Sequence, residues 1–411
     1  MSGAGHPIGE VVADIPNFPM PRAAGCPFDP APRLQQLQAE APITKVRLWD
    51  GSTPWLVTRY DDQRALFADP RISADSSNPH FPALSPGLKE SQQQGQAFIR
   101  MDDPEHARQR RMVTARFTVR RVRELRPAIQ RIVDGLIDDM IAGPKPTDLV
   151  DTFALAVPSL VICELLGVPY ADRAFFQRNA KQFSQQDTTG QRAVEAQRLL
   201  VNYMVQLIDE KCANPGNDVM SDVAVRVRNG ELSSDDAALM GMLLLVGGHE
   251  TTANMIALGT VALLEHPDQL AILRETDDAT VIAGAVEELL RYLTILHNGL
   301  ARVALADIEI GDCVIRAGDG VIMPIESANR DAVAFPEPNR LNVLRPARHH
   351  MAFVFGPHQC LGQNLARVEL QVVYGTLYKR IPTLKLATES GQLSFKHDSL
   401  AYGVHELPVT W

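Results

Sequence analysis

The chain has 411 residues, 45% of them hydrophobic, so it is long enough to bury one large core or two or three smaller ones. Its formal net charge of -9 speaks against general affinity for nucleic acid or anionic membranes, although a local basic face could still dock an acidic partner. Its five cysteines are widely spaced and form no C-x-x-C pair, which favours neither a disulfide framework nor a thiolate zinc site. These features predict a cytoplasmic protein without a nucleic-acid or membrane partner.

The N-terminal stretch is rich in proline and contains no apolar run as long as a signal peptide or a membrane anchor. We interpret residues 1–25 as an irregular arm. After it, the extended stretches Ile43 to Leu48 and Trp55 to Thr58 flank Asp50-Gly51, which predicts a hairpin. The segment from Ser73 to Gln96 is rich in Ser, Pro and Gln, which predicts a long loop.

An arginine-rich stretch follows, on a helix that is predicted to begin after Pro104. Such a stretch is usually a solvated helix face, and that interpretation stands beside a docking surface for an acidic partner. Further on, apolar residues recur at helical spacing from Ile129 to Met140 until Gly143-Pro144 ends the run, which predicts a core helix. The arginines of the stretch are Arg108, Arg111, Arg116, Arg120, Arg121 and Arg123.

The longest predicted helix runs from a cap at Ser233 to Glu265, which gives it a length of about 45 Å. Its centre, Leu243 to Val246, is apolar on every side and is typical of a buried helix. The polar group from Gly247 to Thr252 follows directly and excludes a transmembrane interpretation. His249-Glu250 would fit the zinc-peptidase motif H-E-x-x-H, but Ala253 stands where the second histidine is needed.

Glu288 and Arg291 are three residues apart, so on a helix both side chains lie on one face. A second hairpin is predicted where Ile308 to Ile310 and Cys313 to Ile315 are joined by Gly-Asp, followed by an extended segment from Val321 to Ile325. With neither repeats nor a clear linker, the pattern predicts one mainly helical domain with small sheets over residues 1–411. The E-x-x-R spacing also occurs in three pairs that we interpret as solvated, Glu105/Arg108, Glu195/Arg198 and Glu337/Arg340.

The strongest signal is the run from Phe353 to Gly362, which carries F-x-x-G-x-[HR]-x-C-x-G. Five such constraints arise by chance in a chain of this length with a probability on the order of 10⁻⁴. Apolar residues recur at helical spacing after Cys360, so we expect its sulfur at a helix N-terminus, where N–H groups and the helix dipole stabilise a thiolate. Gly356 and Gly362 are expected where the backbone approaches a flat macrocycle closely.

A thiolate in this place can hold haem iron as an axial ligand. The alternative for any cysteine is a buried structural thiol, and for Cys360 the surrounding glycines and His358 argue against it. We favour the structural interpretation for the other four cysteines, which are Cys26, Cys163, Cys212 and Cys313.

From about Cys26 to the C-terminus, the chain resembles the cytochromes P450. It is most similar to the actinomycete-type class I enzymes, which receive electrons from a ferredoxin. Besides the cysteine loop, the resemblance lies in the helix with Glu250-Thr251, the arginine-rich segment after His106 and the run from Gly362 to Arg367. In two departures, Val354 stands where the family often has Gly and Leu341 where it often has Phe.

The resemblance implies a P450 fold in which a long central helix crosses haem b. It implies Cys360 as the iron ligand, in a loop with Phe353 and Gly356 that holds the cofactor. A buried charge network that supports folding and haem retention is implied at Glu288, Arg291 and Arg345. Cationic hydrogen-bond donors for the two haem propionates are implied at His106, Arg110, Arg302 and His358.

The segment from Gly247 to Thr252 resembles the oxygen-activating motif of the family, [AG]-G-x-[DE]-T. The paired glycines weaken the helix and the Thr251 hydroxyl can compete for a backbone carbonyl, so Glu250 and Thr251 are the expected catalytic residues that deliver protons. Substrate contacts are expected from seven residues, for each of which ordinary core packing is the rival interpretation. They are Phe81, Leu243, Leu244, Gly247, Ile295, Leu296 and Leu400.

The implied activity is that of a haem-thiolate monooxygenase. It would activate O₂ with electrons that pass from NAD(P)H through a ferredoxin reductase and a ferredoxin, and it would hydroxylate a hydrophobic small molecule. Macrolide, steroid-like, statin-like and xenobiotic aromatic substrates are all compatible with the sequence. A peroxygenase that uses hydrogen peroxide and a haem-binding sensor or electron carrier are the alternatives, and the Glu250/Thr251 pair favours oxygen activation over the peroxygenase.

Overall fold

The computed structural model describes residues 15–23, 25, 27–91, 97–184, 190–397 and 399–411. Helices dominate these residues, as predicted, and the strands form small sheets. The helices are α1 Pro32–Glu40, α2 Tyr60–Ala68, α3 Pro86–Ser91, α4 Glu105–Thr114, α5 Val119–Ala142, α6 Ala156–Leu166, α7 Arg173–Ser184, α8 Gly190–Ala213, α9 Val219–Arg228, α10 Ser234–Glu265, α11 Pro267–Glu275, α12 Ala279–Leu293, α13 Ile325–Ala328 and α14 Gln363–Arg380. The strands are β1 Ile43–Lys45, β2 Trp55–Val57, β3 Ile72–Ser73, β4 Thr147–Asp148, β5 Leu300–Ala304, β6 Ile308–Ile310, β7 Cys313–Ile315, β8 Gly320–Met323, β9 Lys385–Leu386 and β10 Pro408–Thr410.

The long predicted helix is α10, and its bounds agree with the sequence pattern. The Ser233 hydroxyl caps it by accepting a hydrogen bond from the Asp236 N–H at 3.0 Å. Its 32 residues span about 48 Å. The helix is buried over most of its length and packs against α6, α8 and α14, so it crosses the core. Within the described part of the chain, no helix is long and apolar enough to span a membrane.

The core helix predicted from Ile129 onwards is the second half of α5. Ile129, Val133, Ile137 and Met140 are all buried, and the helix ends at Ala142 directly before the predicted stop. This face packs against α6 and α14. The apolar periodicity therefore gave the end of the helix and its buried side, but not its beginning at Val119.

Both predicted hairpins are present. β1 pairs with β2 in antiparallel fashion, with Ile43 opposite Val57, and β6 pairs with β7. β1 and β2 belong to a five-stranded sheet in the order β1-β2-β8-β5-β3, while β4, β10 and β9 form a second sheet. The predicted extended segment ends earlier than expected, at Met323, because Pro324 has no N–H for the ladder and Ile325 begins α13.

The predicted loop from Ser73 to Gln96 contains the short helix α3, which the composition concealed. The Ser85 hydroxyl accepts a hydrogen bond from the Leu88 N–H at 3.2 Å, and Pro86 stands at the first helical position, where a missing N–H costs nothing. Residues 92–96 of this loop lie outside the described residues. So do residues 1–14 and 24 of the predicted arm, as well as Cys26.

The described part of the N-terminal arm is more ordered than predicted. The Phe18 N–H donates to the Arg47 carbonyl at 2.9 Å, and the Arg47 N–H donates to the Pro16 carbonyl at the same distance. Phe18 and Met20 are buried in a small core with β2 and α1. The arm is therefore tied to the first hairpin by backbone pairing and apolar burial. The assignment of residues 1–411 to one domain stays a prediction.

Candidate active site

The cysteine loop lies directly before α14 and is held by backbone hydrogen bonds. The Cys360 N–H donates to the Phe353 carbonyl at 2.9 Å, and the Gln359 N–H donates to the Gly356 carbonyl at 3.0 Å. Gly362 is the N-cap of α14, so Cys360 lies two residues before the helix cap. Cys360 has accessible surface although protein atoms are packed densely around it.

The electrostatic surroundings of Cys360 differ in one respect from expectation. Burial raises the pKa of the Cys360 thiol above its ordinary value. The N–H groups of Gly362 and Gln363 lower it, as do the positive charges of Arg110 and Arg367, but burial outweighs them. The helix terminus therefore favours the thiolate, while burial opposes it. A metal cation at the sulfur would favour the thiolate further, because a coordinating thiol is deprotonated by the cation.

Gly356 packs closely against α2. Its φ is +78°, and a Cβ atom there would lie 2.3 Å from the carbonyl oxygen of Phe67. The packing of the cysteine loop on the end of α2 therefore requires a glycine here, and its expected approach to a macrocycle stays a prediction. At Gly362 a Cβ atom would meet nothing within 4 Å. Val354 has a φ of +64°, a left-handed conformation that costs an L residue roughly 1–2 kcal/mol and that glycine adopts freely.

Two of the predicted propionate residues stack on each other beside the loop. The rings of His106 and His358 have centroids 4.0 Å apart and an angle of 29° between their planes. His106 Nδ1 lies 2.9 Å from an Asp103 carboxylate oxygen, so Nδ1 carries a proton that it donates to this oxygen. The other nitrogen of His106, Nε2, and the Nδ1 of His358 are buried without a hydrogen-bond partner among the described residues. Such orphaned nitrogens indicate a missing polar partner.

Buried positive charge surrounds these two histidines. Burial and the neighbouring Arg100 lower the pKa of Arg302 to about 10, while Asp102 opposes this effect. Burial together with Arg302, His106 and Arg110 lowers the pKa of His358 to about 3, so the imidazole is neutral at pH 7. The cluster holds more cationic than anionic groups, which is the composition of an anion site.

Arg110 and Arg100 complete this cluster in different ways. Arg110 donates to the Gln359 carbonyl at 2.6 Å and so reaches the cysteine loop from α4, as expected for a helical neighbour of His106. Arg100 was missed by sequence reasoning. Burial lowers its pKa, and the structure gives it no ion pair with any described residue. Its position just before the His106 helix is the signal that could have found it.

The predicted charge network is buried as one unit. Arg291 donates to both carboxylate oxygens of Glu288, at 2.7 and 2.9 Å, and both side chains have no exposed surface. Arg345 adds a hydrogen bond to Glu288 at 3.1 Å. Arg291 also donates to the backbone carbonyls of Asn329 and Pro338, so α12 is tied to the segment that leads to the cysteine loop. The three E-x-x-R pairs taken as solvated are exposed.

The centre of α10 has one accessible face in an otherwise buried helix. Leu243, Gly247 and Thr251 retain accessible surface and follow one another at four-residue steps, which places them on one side. The Thr251 hydroxyl donates to the Gly247 carbonyl at 2.7 Å, the competition for a backbone acceptor that the sequence suggested. Glu250 and Thr252 are buried, with 7% and 4% of their surface exposed.

Three of the predicted substrate-contact segments lie together. The Tyr402 N–H donates to the Ile295 carbonyl at 2.8 Å, which joins residues 295–296 to the turn that carries Leu400. The Asn254 side chain donates to the Ala401 carbonyl at 3.0 Å, which joins this turn to α10. Leu244 is a buried core residue, as the rival interpretation has it.

Phe81 does not join this group. It lines an open surface pocket of about 750 Å³ between the turn of the first hairpin and the loop before β8, with Lys45, Pro54 and Gly320 among the other lining residues. No other predicted substrate residue lines that pocket. The loop composition placed Phe81 near the substrate, but the tertiary structure turns this part of the loop towards the sheet.

Comparisons with known proteins agree with this geometry. A family model described as "Cytochrome P450" matches residues 183–392. The chain is 54% identical over 405 residues to "Cytochrome P450 GfsF" of Streptomyces halstedii, with 98% of both chains covered. The chain belongs to the cytochrome P450 family. It is therefore a P450 monooxygenase, and the family predicted from the cysteine motif is confirmed.

Other P450 enzymes are similar over nearly the whole length. The "Vitamin D3 dihydroxylase" of Streptomyces griseolus is 45% identical over 400 residues, with 97% of each chain covered. The crystal structure of GfsF superposes with a TM-score of 0.91 over 96% of this chain and 100% of the other. A mycinamicin VIII C21 methyl hydroxylase, MycCI from Micromonospora griseorubida bound to mycinamicin VIII, gives the same TM-score at 40% identity, with 97% and 100% covered. The predicted fold is confirmed.

The cofactor of a cytochrome P450 is haem b, and the residues of the site fit it. Haem brings two carboxylates, and the cluster offers the buried charge of Arg302 with the orphaned nitrogens of His106 and His358. The thiol of Cys360, an exposed residue, offers a ligand for iron. The anion site and the sulfur are adjacent, because His358 is two residues from Cys360.

Proposed function

We propose that this P450 monooxygenase hydroxylates a hydrophobic small molecule with O₂ and with electrons from a ferredoxin. The observation that carries the proposal is the accessible face of α10, where the apolar Leu243 and the open Gly247 lead directly to Thr251. An accessible apolar face inside a buried helix supports a binding site for an apolar ligand. The same face supports a site in which the ligand reaches the oxygen-activating residues.

The substrate class is proposed from the relatives. One relative is named for vitamin D3 and another was crystallised with mycinamicin VIII. We propose a substrate of comparable hydrophobic character, of the macrolide, steroid-like, statin-like or xenobiotic kind. Ile295, Leu296 and Leu400 join α10 around it in this proposal, with Leu244 behind them in the core.

For the cofactor, we propose that Cys360 binds the iron and that His106, Arg110, Arg302 and His358 hold the propionates. When bound there, a thiolate-ligated haem supplies reductive activation of O₂ and transfer of one oxygen atom to substrate. Arg302 offers charge and hydrogen-bond donors to a carboxylate, and an anion beside His358 would raise the pKa of its imidazole again. Phe353 packs 4.5 Å from the Arg367 guanidinium and so shapes the loop under Cys360.

For proton delivery, we propose that the Glu250 carboxyl group donates a proton. The Thr251 hydroxyl, in this proposal, positions the group that receives it. The Thr251 hydroxyl donates its hydrogen bond to the Gly247 carbonyl, so the lone pairs of Oγ1 remain available to accept a hydrogen bond from another group. Because Glu250 is buried, it can exchange protons only along a defined route. This arrangement favours use of O₂ over direct use of peroxide.

For the ferredoxin, we propose a docking surface around Arg111 and Arg123. Both are exposed, and neither forms an ion pair with a described residue. Four other arginines of the stretch have partners within the chain, since Arg108 pairs with Glu105, Arg116 with Asp222, and Arg120 and Arg121 with Glu124. Charge that is free of internal partners is available to an acidic partner near the Cys360 side of the molecule. The cytoplasmic location stays a prediction, and among the described residues Cys163, Cys212, Cys313 and Cys360 form no disulfide.

The test combines a spectrum with product analysis. The reduced carbon monoxide complex of the wild type should show the strongly red-shifted band of a thiolate-ligated haem, and Cys360→Ala should lose it. Cys313→Ala, which changes a cysteine on β7, is the matched control and should keep the band. Hydroxylated product should appear with NADH, reductase and ferredoxin together and not when the ferredoxin is omitted. A Cys360→Ala variant that keeps the band would refute the ligand, and product without electron donors would favour the peroxygenase.

A further inference from the structure

A buried lysine lies beside Glu250, where no motif predicted a charge. Lys396 has only 8% of its surface exposed, and lysine is rarely buried without a partner. Its ammonium nitrogen is 3.5 Å from a carboxylate oxygen of Glu250 and donates to the Asn254 side-chain oxygen at 3.0 Å. Glu250 and Asn254 are four residues apart on α10, so Lys396 contacts one face of that helix from outside it.

The backbone around Lys396 is fixed firmly on α10. The Lys396 N–H donates to the Gly403 carbonyl at 2.8 Å, which closes a turn whose described residues are 396, 397 and 399–403. Asn254 donates to the Ala401 carbonyl in the same turn. A Cβ atom on Gly403 would lie 2.2 Å from the Asn254 side-chain oxygen, so only glycine allows this approach. The ammonium group is therefore brought to Glu250 by a rigid scaffold.

We propose that Lys396 is a positioning residue for Glu250. The ion pair holds the Glu250 carboxylate at one place beside Thr251. Two charges buried together interact far more strongly than an exposed pair, so the carboxylate has little freedom to turn away. This proposal rests on the proposed proton-delivering role of Glu250.

The position of Lys396 also links the substrate side to the proton route. The turn that carries Lys396 includes Leu400, a proposed substrate contact, and is bonded to Ile295 through the Tyr402 N–H. A molecule that presses on Leu400 would act on the same short turn that holds the Glu250 partner. Proton delivery thus becomes sensitive to how well the substrate fits this turn.

Lys396→Gln is the decisive variant, because glutamine keeps an N–H donor for Asn254 and removes the charge that faces Glu250. We expect the ratio of product to NADH oxidised to fall on the order of 10-fold, short of the 10²- to 10⁴-fold of a lost general acid. Lys396→Arg, which keeps the charge, should restore most of the ratio. Lys379→Met, which breaks the exposed 2.7 Å pair with Asp277, is the matched control and should leave it unchanged.

A second readout is independent of turnover. Crystal structures of the haem-loaded wild type and Lys396→Gln should show the Glu250 carboxylate displaced in the variant while residues 399–403 stay in place. An unmoved carboxylate, or a product ratio equal to that of the control, would overturn the proposal. The variant Glu250→Gln distinguishes a failure of the proposed role of Glu250 from a failure of the proposed role of Lys396. If it couples like the wild type, the proposed role of Glu250 fails, whereas a loss in Glu250→Gln without one in Lys396→Gln rejects only Lys396.

Discussion

Thr251 and Thr252 are chemically identical neighbours that the helix separates by about 100°. The Thr251 side chain lies on the accessible face of α10 and donates to the Gly247 carbonyl, while Thr252 is buried away from that face. Their environments therefore differ enough for one residue to serve the reaction and the other to serve the core.

We predict that Thr251→Ala lowers the product formed per NADH severely and releases hydrogen peroxide instead. General acid assistance is typically worth about 10²- to 10⁴-fold, and a misplaced proton loses most of it. Haem binding should survive, because no part of the anion cluster is altered. Thr252→Ala should stay much better coupled, and its main effect should be a small cavity. The measurement is the ratio of product to NADH with peroxide determined in parallel, and equal ratios in Thr251→Ala and wild type would contradict the assignment.

At the scale of elements, Glu287 connects three parts of the molecule that surround the cysteine loop. It lies on α12, accepts hydrogen bonds from Arg367 of α14 at 2.7 and 3.2 Å, and contacts His350 at 3.0 Å. Burial by itself raises the pKa of Glu287, but the hydrogen bonds from His350 and Arg367 outweigh it and bring the pKa to about 2. Burial also lowers the pKa of His350, so the imidazole acts as a neutral donor.

We predict that Glu287→Gln lowers the free energy of unfolding by about 2 kcal/mol at neutral pH. The substitution removes the negative charge that pairs with the largely buried Arg367 guanidinium. The folded-state pKa is depressed, so this stabilisation is complete above the ordinary value of 4.5 and is lost as the pH falls through about 2. Urea unfolding of both proteins across this range should show the difference shrink. Glu337→Gln, on an exposed pair, should change stability by less than about 0.5 kcal/mol. A difference that is independent of pH would contradict the linkage.

At the scale of the whole molecule, the net charge of -9 conceals a local positive surface that includes Arg111 and Arg123. The partners of Arg108 and Arg116 show why the arginine count alone overstates this surface. Arg116 is largely buried against Asp222, and Arg108 also donates to the Glu231 carbonyl. Reversing those charges would disturb the fold, so they are poor probes of docking.

We predict that reduction by an acidic ferredoxin slows with salt, because a charge-guided encounter is screened within about 10 Å at ~0.1 M ionic strength. Arg111→Glu should slow reduction at low salt and make it less dependent on salt. Arg33→Glu changes an exposed arginine of α1, which packs against α13, and should behave as wild type. The measurement is the rate of haem reduction against ionic strength by stopped flow. If the rate of haem reduction does not change with ionic strength in either the wild type or Arg111→Glu, the proposed docking surface is contradicted.

Hydrophobic periodicity and local sequence motifs were sufficient to predict many of the secondary-structure elements. The cap at Ser233 and the apolar repeat defined α10 because helix ends and buried faces depend on neighbours within a few residues. The two hairpins followed from turn residues for the same reason. By contrast, α3 was hidden because its Ser, Pro and Gly are also turn formers, and only its packing against α8 distinguishes the two.

The sequence by itself determined the family, the cysteine ligand candidate and the Glu250-Thr251 pair, because each depends on residues close together in the chain. The tertiary structure decided what requires distant segments to meet. It made Gly356 a contact of Phe67, turned Phe81 towards the sheet, added Arg100 to the anion cluster and brought Lys396 to Glu250. The physical reason is that burial and charge depend on all neighbours in space, and Lys396 is 146 residues from its partner along the chain while its ammonium group lies 3.5 Å from the carboxylate.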